Sequence, residues 1–494
     1  MRSNRLTGYL ALAVTIALTS SARAQEGGAE EQAPAADEQK PAAPEAKKSV
    51  AQAEEPAPAA DQHLPEDLLR KMIQEEMAKG ITPKVGDVHM HGYFRAGYGV
   101  SSEGGRQICF QAPGAHAKWR LGNECDTYGE FLFSGPAYVG DNGVVANANV
   151  MFNVYIPQVT HGYPDRFTPN FNELGKDIHW GTNQFYFDFS GLPFLGKDAK
   201  AWIGRRFYKR ENTDVIDYFW WNASGLGGGI EDIPVSGPMK VSFATFVVSG
   251  PNFANPAVPN SPSLPLRSDV GLNPDVRLYG IPLHPGGELI IGADAVIDAS
   301  DSDSINDTQN GISGTAIYVL QALGGSNKLA VQYGQGPSAS DNGVFGSLTD
   351  DSDRKMIRVL DNLNIQPTPE LGATISGLYQ HDEASMTGNK ADWISAGGRL
   401  TYALHENAQL LFEAGIDSAK PDGGDRATLT KVTIAPAITG GKGLWARPHL
   451  RLFATAAFFN DAARAGGVDG GAGVYAATDK SAGFSFGMQS EGWW

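Results

Sequence analysis

Polar and apolar residues alternate in short runs from Val88 to Trp494, and Gly, Pro, Asn and Asp separate the runs. Successive side chains of a β-strand point to opposite faces, so this pattern predicts strands with one apolar and one polar face. In the last run the apolar face carries Phe484, Phe486, Met488 and Trp494, and the polar face carries Ser485, Gln489, Glu491 and Trp493. The first run divides in the same way, with Met90, Phe94, Ala96, Tyr98 and Val100 opposite His91, Tyr93 and Arg95.

Two longer runs distinguish a membrane barrel from a soluble sandwich. One extends from Lys118 to Leu132 and the other from Trp445 to Phe459. Both exceed the ~9–11 residues that a tilted strand needs to cross a bilayer. Their polar faces carry Arg, Glu, Tyr and Trp, whereas the wet face of a sandwich is usually rich in Lys, Thr and Ser. The pattern therefore favours an all-β transmembrane antiparallel barrel with a wet lumen.

The connections agree with this architecture. Pro285-Gly286-Gly287 predicts a tight hairpin, as expected of a short periplasmic turn. The polar stretches 252–273 and 301–313 are then expected to be extracellular loops. Eighteen strands would leave about 22 residues for each strand and its connection, and sixteen would fit almost as well. Counting alone does not decide between these two numbers.

The first 24 residues resemble an export signal. Arg2 and Arg5 precede an apolar run from Tyr9 to Leu18, and small residues end the segment at Ala22-Arg23-Ala24. This run is shorter than the ~20 residues of a spanning helix, so we expect a signal peptide that is cleaved after Ala24. Residues 25–62 are rich in Ala, Pro and Glu and lack aromatic residues, which predicts a disordered spacer.

Residues 63–80 predict a short helical extension in the periplasm. Pro65 stands at its start, Leu69, Ile73 and Met77 recur every four residues, and Gly80 can end the helix. Two heptads are marginal for an autonomous coiled coil. The helix is therefore either a short oligomerising element, such as a trimeric coiled coil, or a helix that packs on the main body.

Charge and cysteine content exclude several classes of function. The chain has 39 Lys and Arg against 55 Asp and Glu, a net charge of −16, which argues against nucleic acid as a partner. Two cysteines cannot build a zinc framework, but export makes a disulfide between Cys109 and Cys125 plausible. The sequence gives no catalytic or metal-ligating set and no cofactor motif. Gly483-Phe484-Ser485-Phe486-Gly487 matches a hydrolase pattern only formally, because it lies inside a strand.

Several segments resemble the maltoporin-type carbohydrate porins, and they occur in order through the whole barrel region. They are His91-Gly92-Tyr93-Phe94-Arg95, Cys109-Phe110-Gln111, Trp119-Arg120-Leu121-Gly122-Asn123-Glu124-Cys125, Gly204-Arg205-Arg206-Phe207-Tyr208-Lys209-Arg210, Ile216-Asp217-Tyr218, Asp275-Val276-Arg277-Leu278, Pro285-Gly286-Gly287, Arg358-Val359-Leu360-Asp361, Trp445-Ala446-Arg447-Pro448, Phe453-Ala454-Thr455 and Trp493-Trp494. The spacer and helix that precede the barrel look more like the extension of sucrose-type porins.

The resemblance implies a homotrimer of 18-stranded barrels, each narrowed by a loop that folds inward. It implies an aromatic slide for sugar at Tyr93, Tyr128, Trp445 and Trp493, and a polar track at Arg95, Arg120, Glu130, Arg210 and Asp217. Ring faces can stack on the C–H face of a pyranose, and charged groups can exchange hydrogen bonds with its hydroxyls. Three positions depart from the family: Ser326 replaces a slide phenylalanine, and the constriction has Asn212 for an aspartate and Phe219 for a tyrosine.

These observations predict an outer-membrane porin for oligosaccharides of the maltose, maltodextrin or sucrose type, with no enzymatic activity. The expected partners are the oligosaccharide, outer-membrane lipid and two further copies of the chain, and a phage is a candidate partner. Tyr163 or Phe167 would supply the aromatic residue that a neighbouring subunit lends to the pore. Two alternatives are an outer-membrane barrel enzyme, such as a lipase, and a secreted sugar-binding β protein without a pore.

Overall fold

The computed structural model describes residues 84–157, 179–196, 198–249, 270–300, 308–339, 348, 352–384, 389–470 and 473–494. The expected signal peptide, spacer and helix of residues 1–80 lie outside this part of the chain. Tyr163 and Phe167 also lie outside it.

The described residues form twenty strands. Each strand has either an alternating sequence pattern or turn residues at its ends. They are β1 His89–Ser101, β2 Asp126–Val139, β3 Val145–Pro157, β4 His179–Ser190, β5 Lys200–Arg206, β6 Glu211–Thr213, β7 Tyr218–Trp221, β8 Gly225–Ser236, β9 Met239–Ser249, β10 Val270–His284, β11 Gly287–Asp298, β12 Gly311–Ala322, β13 Gly325–Gln335, β14 Lys355–Ile365, β15 Leu371–Ala384, β16 Asn389–His405, β17 Ala408–Lys420, β18 Ala427–Thr439, β19 His449–Phe459 and β20 Ala482–Trp493. A short helix, α1, spans Asp461–Ala465, and two 3-10 turns span Asp214–Ile216 and Gly336–Ser338.

Eighteen of these strands close into one antiparallel barrel. Each pairs with its neighbours along the chain, β5 pairs with β8, and β20 pairs with β1 to close the wall. The short strands β6 and β7 pair only with each other. The predicted barrel is confirmed with 18 strands, the larger of the two numbers that counting allowed. The secreted sandwich is wrong, because β20 and β1 leave no open edge between them.

The two faces of the wall separate as the alternation predicts. On β20 the outward Phe484 and Phe486 are exposed, whereas Ser485 and Glu491 on the other face are buried in the lumen. Lumen-facing polar residues on other strands, such as Arg358, pack against segments that fill part of the interior. The outward apolar face suits lipid contact, and the inward polar face suits a lumen.

Short connections join the strands at one end of the barrel, which we call the turn end; the other end is the loop end. Pro285-Gly286 joins β10 to β11 as predicted. Leu323 and Gly324 join β12 to β13 with φ angles of 50° and 72°. Positive φ at both central residues is typical of the type I′ turn, whose twist matches that of the flanking strands.

Two predicted strands are too long. β2 begins at Asp126, so residues 118–125 belong to the preceding connection, and β19 begins at His449, so Trp445 and Arg447 belong to the connection after β18. Residues 119–124 are all buried inside the barrel, so their strand-like sequence pattern does not mark one buried and one accessible face. Leu272 and Asn273, expected in a loop, lie in β10.

Two loop-end connections fold into the lumen. We name residues 102–125, between β1 and β2, the first inner segment, and residues 207–224, between β5 and β8, the second inner segment. The backbone N–H of Arg120 donates to the carbonyl of Val215 at 3.1 Å, so the two segments meet inside the barrel. No helix in the described residues is both long enough and apolar enough to span a bilayer.

Candidate functional site

Strand register gathers several predicted site residues on one patch of the lumen wall. Tyr93 of β1 lies opposite Trp493 of β20 on one side and opposite Glu130 of β2 on the other. Arg95, two residues further along β1, lies opposite Tyr128. Directly paired residues share a face of the sheet, so all five point into the lumen. Their predicted common face is observed, whereas contact with sugar stays a prediction.

Arg95 connects this wall patch to the second inner segment. Its Nε and Nη2 donate to the Asp126 carboxylate at 2.9 Å each, and its Nη1 donates to Asp217 Oδ2 at 3.1 Å. The guanidinium carbon lies 5.3 Å from the centre of the Tyr128 ring. Arg95 and Asp217 were both expected on the polar track, and the structure brings them into direct contact. Both remain partly accessible to solvent.

Tyr128 and Glu130 form a second polar pair beside Arg95. The Tyr128 hydroxyl donates to Glu130 Oε1 through a short hydrogen bond, and Asn183 Nδ2 donates to the same oxygen at 2.9 Å. Tyr93 and Tyr128 are tilted against each other with ring centres 6.2 Å apart. Glu130 and Tyr93 are each 1% exposed, and Tyr128 is half-buried. Tyr128 is therefore the more accessible of the two tyrosines.

Arg120 lies in the first inner segment and is bound on several sides. Its Nε donates to Glu124 at 2.6 Å, and its Nη2 donates to Glu491 at 3.0 Å and to the Tyr93 hydroxyl at 2.9 Å. Glu491 also accepts from Arg447 and from Arg451, at 3.0 and 3.1 Å. This buried network fixes the first inner segment to β1, β19 and β20. Arg120 was expected on the polar track, and the structure places it in this network.

The second inner segment presents a stacked group of side chains. The Arg210 guanidinium lies between the rings of Phe207 and Phe219, 3.6 Å and 4.6 Å from their centres. All three side chains are partly accessible. A cation over the face of an aromatic ring is attracted by that ring. Asn212, the other expected constriction residue, is buried nearby.

Asp214 is a buried carboxyl group in the middle of the second inner segment. Burial raises its pKa to about 7, although Arg120 and Arg399 oppose this change. The closest Arg120 nitrogen is 3.9 Å from Asp214 Oδ1, too far for a good hydrogen bond. A buried carboxyl group with so weak a contact exchanges its proton near neutral pH.

Trp445 and Trp493 occupy different settings, although both were expected on strands. Trp493 lies on β20, and Arg447 stacks on it at 4.2 Å from the ring centre. Trp445 lies in the β18–β19 connection at the turn end and is half-buried. In the same connection, burial lowers the pKa of the Arg447 guanidinium to about 10 against the attraction of Glu491. The lumenal direction of Trp445 therefore cannot be derived from strand alternation.

Two further expectations can be located. Cys109 and Cys125 form a disulfide with their Cα atoms 5.9 Å apart, as predicted. Ser326 lies one residue inside β13, directly after the Leu323-Gly324 turn. Ser326, which replaces a slide phenylalanine of the family, therefore lies at the turn end of the barrel.

Other residues of this region were missed by the sequence reasoning. Glu491 was placed on the polar face but was not assigned a role as the acceptor for several cations. Lys328 Nζ lies 2.6 Å from Glu211 Oε2 and ties β13 to the second inner segment. The sequence signal for this contact was a lone Lys that lies two residues after Ser326 on the same face of the strand. The described residues hold no group of three His, Cys, Asp or Glu side chains suited to a metal ion.

Comparisons with known proteins place the chain in a family. Solved barrels similar to it include the outer membrane protein OpdK of Pseudomonas aeruginosa, with 8% identity, coverage of 83% of this chain and 100% of that one, and a TM-score of 0.45. OmpF of Salmonella typhi in complex with daunomycin has 9% identity, coverage of 82% and 97%, and a TM-score of 0.42. These scores carry no argument about function. The LamB porin family model matches residues 88–494, the whole predicted barrel, and the chain therefore belongs to the LamB porin family of outer-membrane porins.

Proposed function

We propose that this porin carries neutral oligosaccharides of the maltose, maltodextrin or sucrose type across the outer membrane by facilitated diffusion. Family membership and the resemblance of the motifs support the sugar class. The observation that carries the proposal is a strip of partly accessible rings with charged side chains beside them. Its members are Tyr128, Trp493 and Phe219, with Arg95, Asp217 and Arg210 beside them.

The chemistry of this strip suits a sugar better than a simple ion. A pyranose has an apolar C–H face for stacking and a rim of hydroxyls for charged partners. Arg95 and Asp217 are already paired with each other, so a neutral hydroxyl can exchange hydrogen bonds with them without leaving a bare charge. Several weak contacts in series also allow a sugar to leave as readily as it enters.

Within this proposal, Arg120 and Glu130 act as positioning residues. Both are buried and hydrogen-bonded within the protein, so they hold Tyr93, Glu491 and Tyr128 in place. Tyr93, Trp445, Asn212 and the remaining predicted members keep the roles that the resemblance implies. We also propose that the pore works as a homotrimer and that a neighbouring subunit contributes an aromatic residue.

We further propose that the protein is a channel and not an enzyme. A barrel lipase needs a nucleophile and a histidine on its lipid-facing side. The outward faces of β19 and β20, which carry the formal hydrolase pattern, present Leu450, Leu452, Phe484 and Phe486 there. Ser485 of that pattern is buried in the lumen, where it donates to the carbonyl of Ile108 at 3.1 Å.

The decisive experiment is a sugar titration of single-channel current in planar bilayers. We expect sucrose and a maltodextrin series to block the ion current reversibly, with affinity that depends on chain length. Heat-modifiable trimers extracted from the outer membrane would support the assembly. Steady ion current that no neutral oligosaccharide blocks would contradict the proposal and indicate a general diffusion pore.

A further inference from the structure

One sector of the outward face carries charged side chains on several adjoining strands. It lies at the loop ends of β14 to β17 and in the connection that follows β17. We name it the rim patch, and its members are Lys355, His381, Glu383, Lys390, Asp392, Lys420 and Arg426. Directly below it, on the same outward face, lie the exposed Ile357, Ile394 and Ile416. The rim patch therefore borders the apolar band that faces lipid.

Register shows that these residues form one surface. Lys355 lies opposite Glu383, and Glu383 lies opposite Lys390 on the next strand. Asp392, two residues below Lys390, lies opposite both His381 and Lys420. Paired residues of neighbouring strands have Cβ atoms about 5 Å apart, so the charges are contiguous across four strands.

The same row of pairs becomes uncharged beyond β14. It passes from Lys355 to Gln335 of β13 and then to Ile312 of β12, which is exposed. The outward loop-end positions of other strands also carry apolar side chains, among them Val100, Leu272, Ile297, Phe458 and Phe484. Charge at this level is therefore contiguous across the four strands of the rim patch, whereas the exposed Arg205 at the loop end of β5 has the apolar Phe185 and Leu226 opposite it.

Cations exceed acids within the rim patch. Lys390 Nζ lies 3.0 Å from Glu383, and His381 Nδ1 lies 2.8 Å from Asp392. Arg426 donates to the Ser418 hydroxyl on the same outward face at 3.1 Å. Within the described part of the chain, no acid forms an ion pair with Lys355 or Lys420. Asp422 and Asp425 lie in the connection that follows Lys420 and are exposed to solvent.

We propose that the rim patch binds the phosphorylated head groups of lipids in the outer leaflet. In a barrel with short periplasmic turns, the loop end faces the cell exterior. The level between this end and the apolar band is the level of the lipid head groups. Phosphate attracts Lys and Arg there, and long side chains can reach it while their strands stay against the acyl chains. The inference requires only the outer-membrane placement, so it stands whether or not sugars are the cargo.

The experiment compares two matched double variants of the full-length porin in non-ionic detergent. Lys355→Ala/Lys420→Ala removes the two lysines of the rim patch that form no ion pair within the described residues. Lys240→Ala/Lys442→Ala removes two accessible lysines at the turn end, each paired with an acid at 3.1 and 3.2 Å. The probe is bisphosphorylated lipid A, with its dephosphorylated form and inorganic phosphate as separate arms. Bound lipid is counted by native mass spectrometry.

We expect the rim variant to bind bisphosphorylated lipid at least about tenfold more weakly than the control variant. The dephosphorylated lipid should not distinguish the two variants, and inorganic phosphate at equal concentration should not compete. Glu383→Gln/Asp392→Asn should tighten binding, which keeps the test informative if the lysine variant folds poorly. Equal binding by the two lysine variants would overturn the proposal. So would loss of subunit association in the rim variant with unchanged lipid binding, because the patch would then be a contact between copies.

Discussion

The two inner segments enter the same lumen but are held there in different ways. The first inner segment is closed by the Cys109–Cys125 disulfide, and most of its residues from Gln107 to Glu124 are buried. The second inner segment has no covalent closure. Its side chains alternate between buried anchors, such as Tyr218 and Trp220, and accessible groups, such as Arg210 and Asp217. The first segment therefore fills part of the lumen, and the second segment lines the space that remains.

Each segment docks a tryptophan against a glycine of the wall. A Cβ at Gly415 of β17 would come within 2.2 Å of the Trp119 ring, and a Cβ at Gly292 of β11 would come within 2.5 Å of the Trp221 ring. Trp221 also donates to Asp294 at 3.2 Å and stacks on Arg277. The Trp119 N–H finds no hydrogen-bond acceptor among the residues that the structure describes. The first segment thus adds covalent closure and a shape-fitted tryptophan to its Arg120 network, whereas the second is held without covalent closure.

The largest effect is expected from Gly415→Ala. The added methyl group cannot coexist with the Trp119 ring, so the indole has to leave its slot. Losing a buried Trp contact costs about 4 kcal/mol, which should release the first inner segment and raise single-channel conductance. Gly377→Ala is the matched control, because a Cβ at Gly377 would meet nothing within 4 Å. Unchanged conductance and stability in Gly415→Ala would mean that Trp119 does not hold this segment.

Removal of the disulfide tests how much covalent closure contributes to holding the first inner segment in place. Cys109→Ala/Cys125→Ala should destabilise the closed first segment by about 3 kcal/mol, the chain-entropy value for a loop of this length. Hydrogen exchange should become faster in residues 109–125 and stay unchanged in residues 207–224. Equally faster exchange in both segments would show that the second segment depends on the first for its position.

Proton binding at Asp214 should make the local stability of the second inner segment depend on pH. Its folded pKa of about 7 lies above the unfolded value, so its contribution to stability is complete at low pH and is lost as the pH rises through 7. Between pH 5 and 8 the second segment should lose about 2 kcal/mol of local stability, measured by hydrogen exchange. Asp214→Asn should remove most of this pH dependence. A pH dependence that survives in Asp214→Asn would assign it to another group.

The wall of this barrel was predictable from sequence, because each strand alternates under a constraint that involves only its own two faces. The register-dependent patch of Tyr93, Tyr128 and Trp493 could likewise be expected from alternation with the family motifs. Residues 118–125 and Trp445 were misassigned because alternating residue types also occur in connections, where they do not mark the two faces of a strand. Contacts such as Lys328 with Glu211 join parts of the chain more than 100 residues apart, and no local pattern predicts them.

The smallest expected effect comes from the removal of single aromatic rings. It tests whether the first inner segment only fills the lumen while the second inner segment lines the passage. Phe219→Ala in the second segment and Trp493→Ala on the wall should each weaken block of the current by maltodextrins by about 1 kcal/mol, because each removes a surface for stacking. Phe110→Ala, in the buried part of the first segment, should lower stability and leave the sugar affinity unchanged.

Ser326→Phe should tighten sugar block, but by less than Phe219→Ala or Trp493→Ala weakens it. Position 326 lies at the turn end, where a single added ring would meet the sugar only as it leaves. Trp445→Ala shows whether the β18–β19 connection belongs to the same path. A change in block comparable to that of Trp493→Ala would place it there, and no change would restrict the slide to the strands. If Phe110→Ala weakened sugar block as much as Phe219→Ala, the first segment would line the passage too, and the division between a filling and a lining segment would fail.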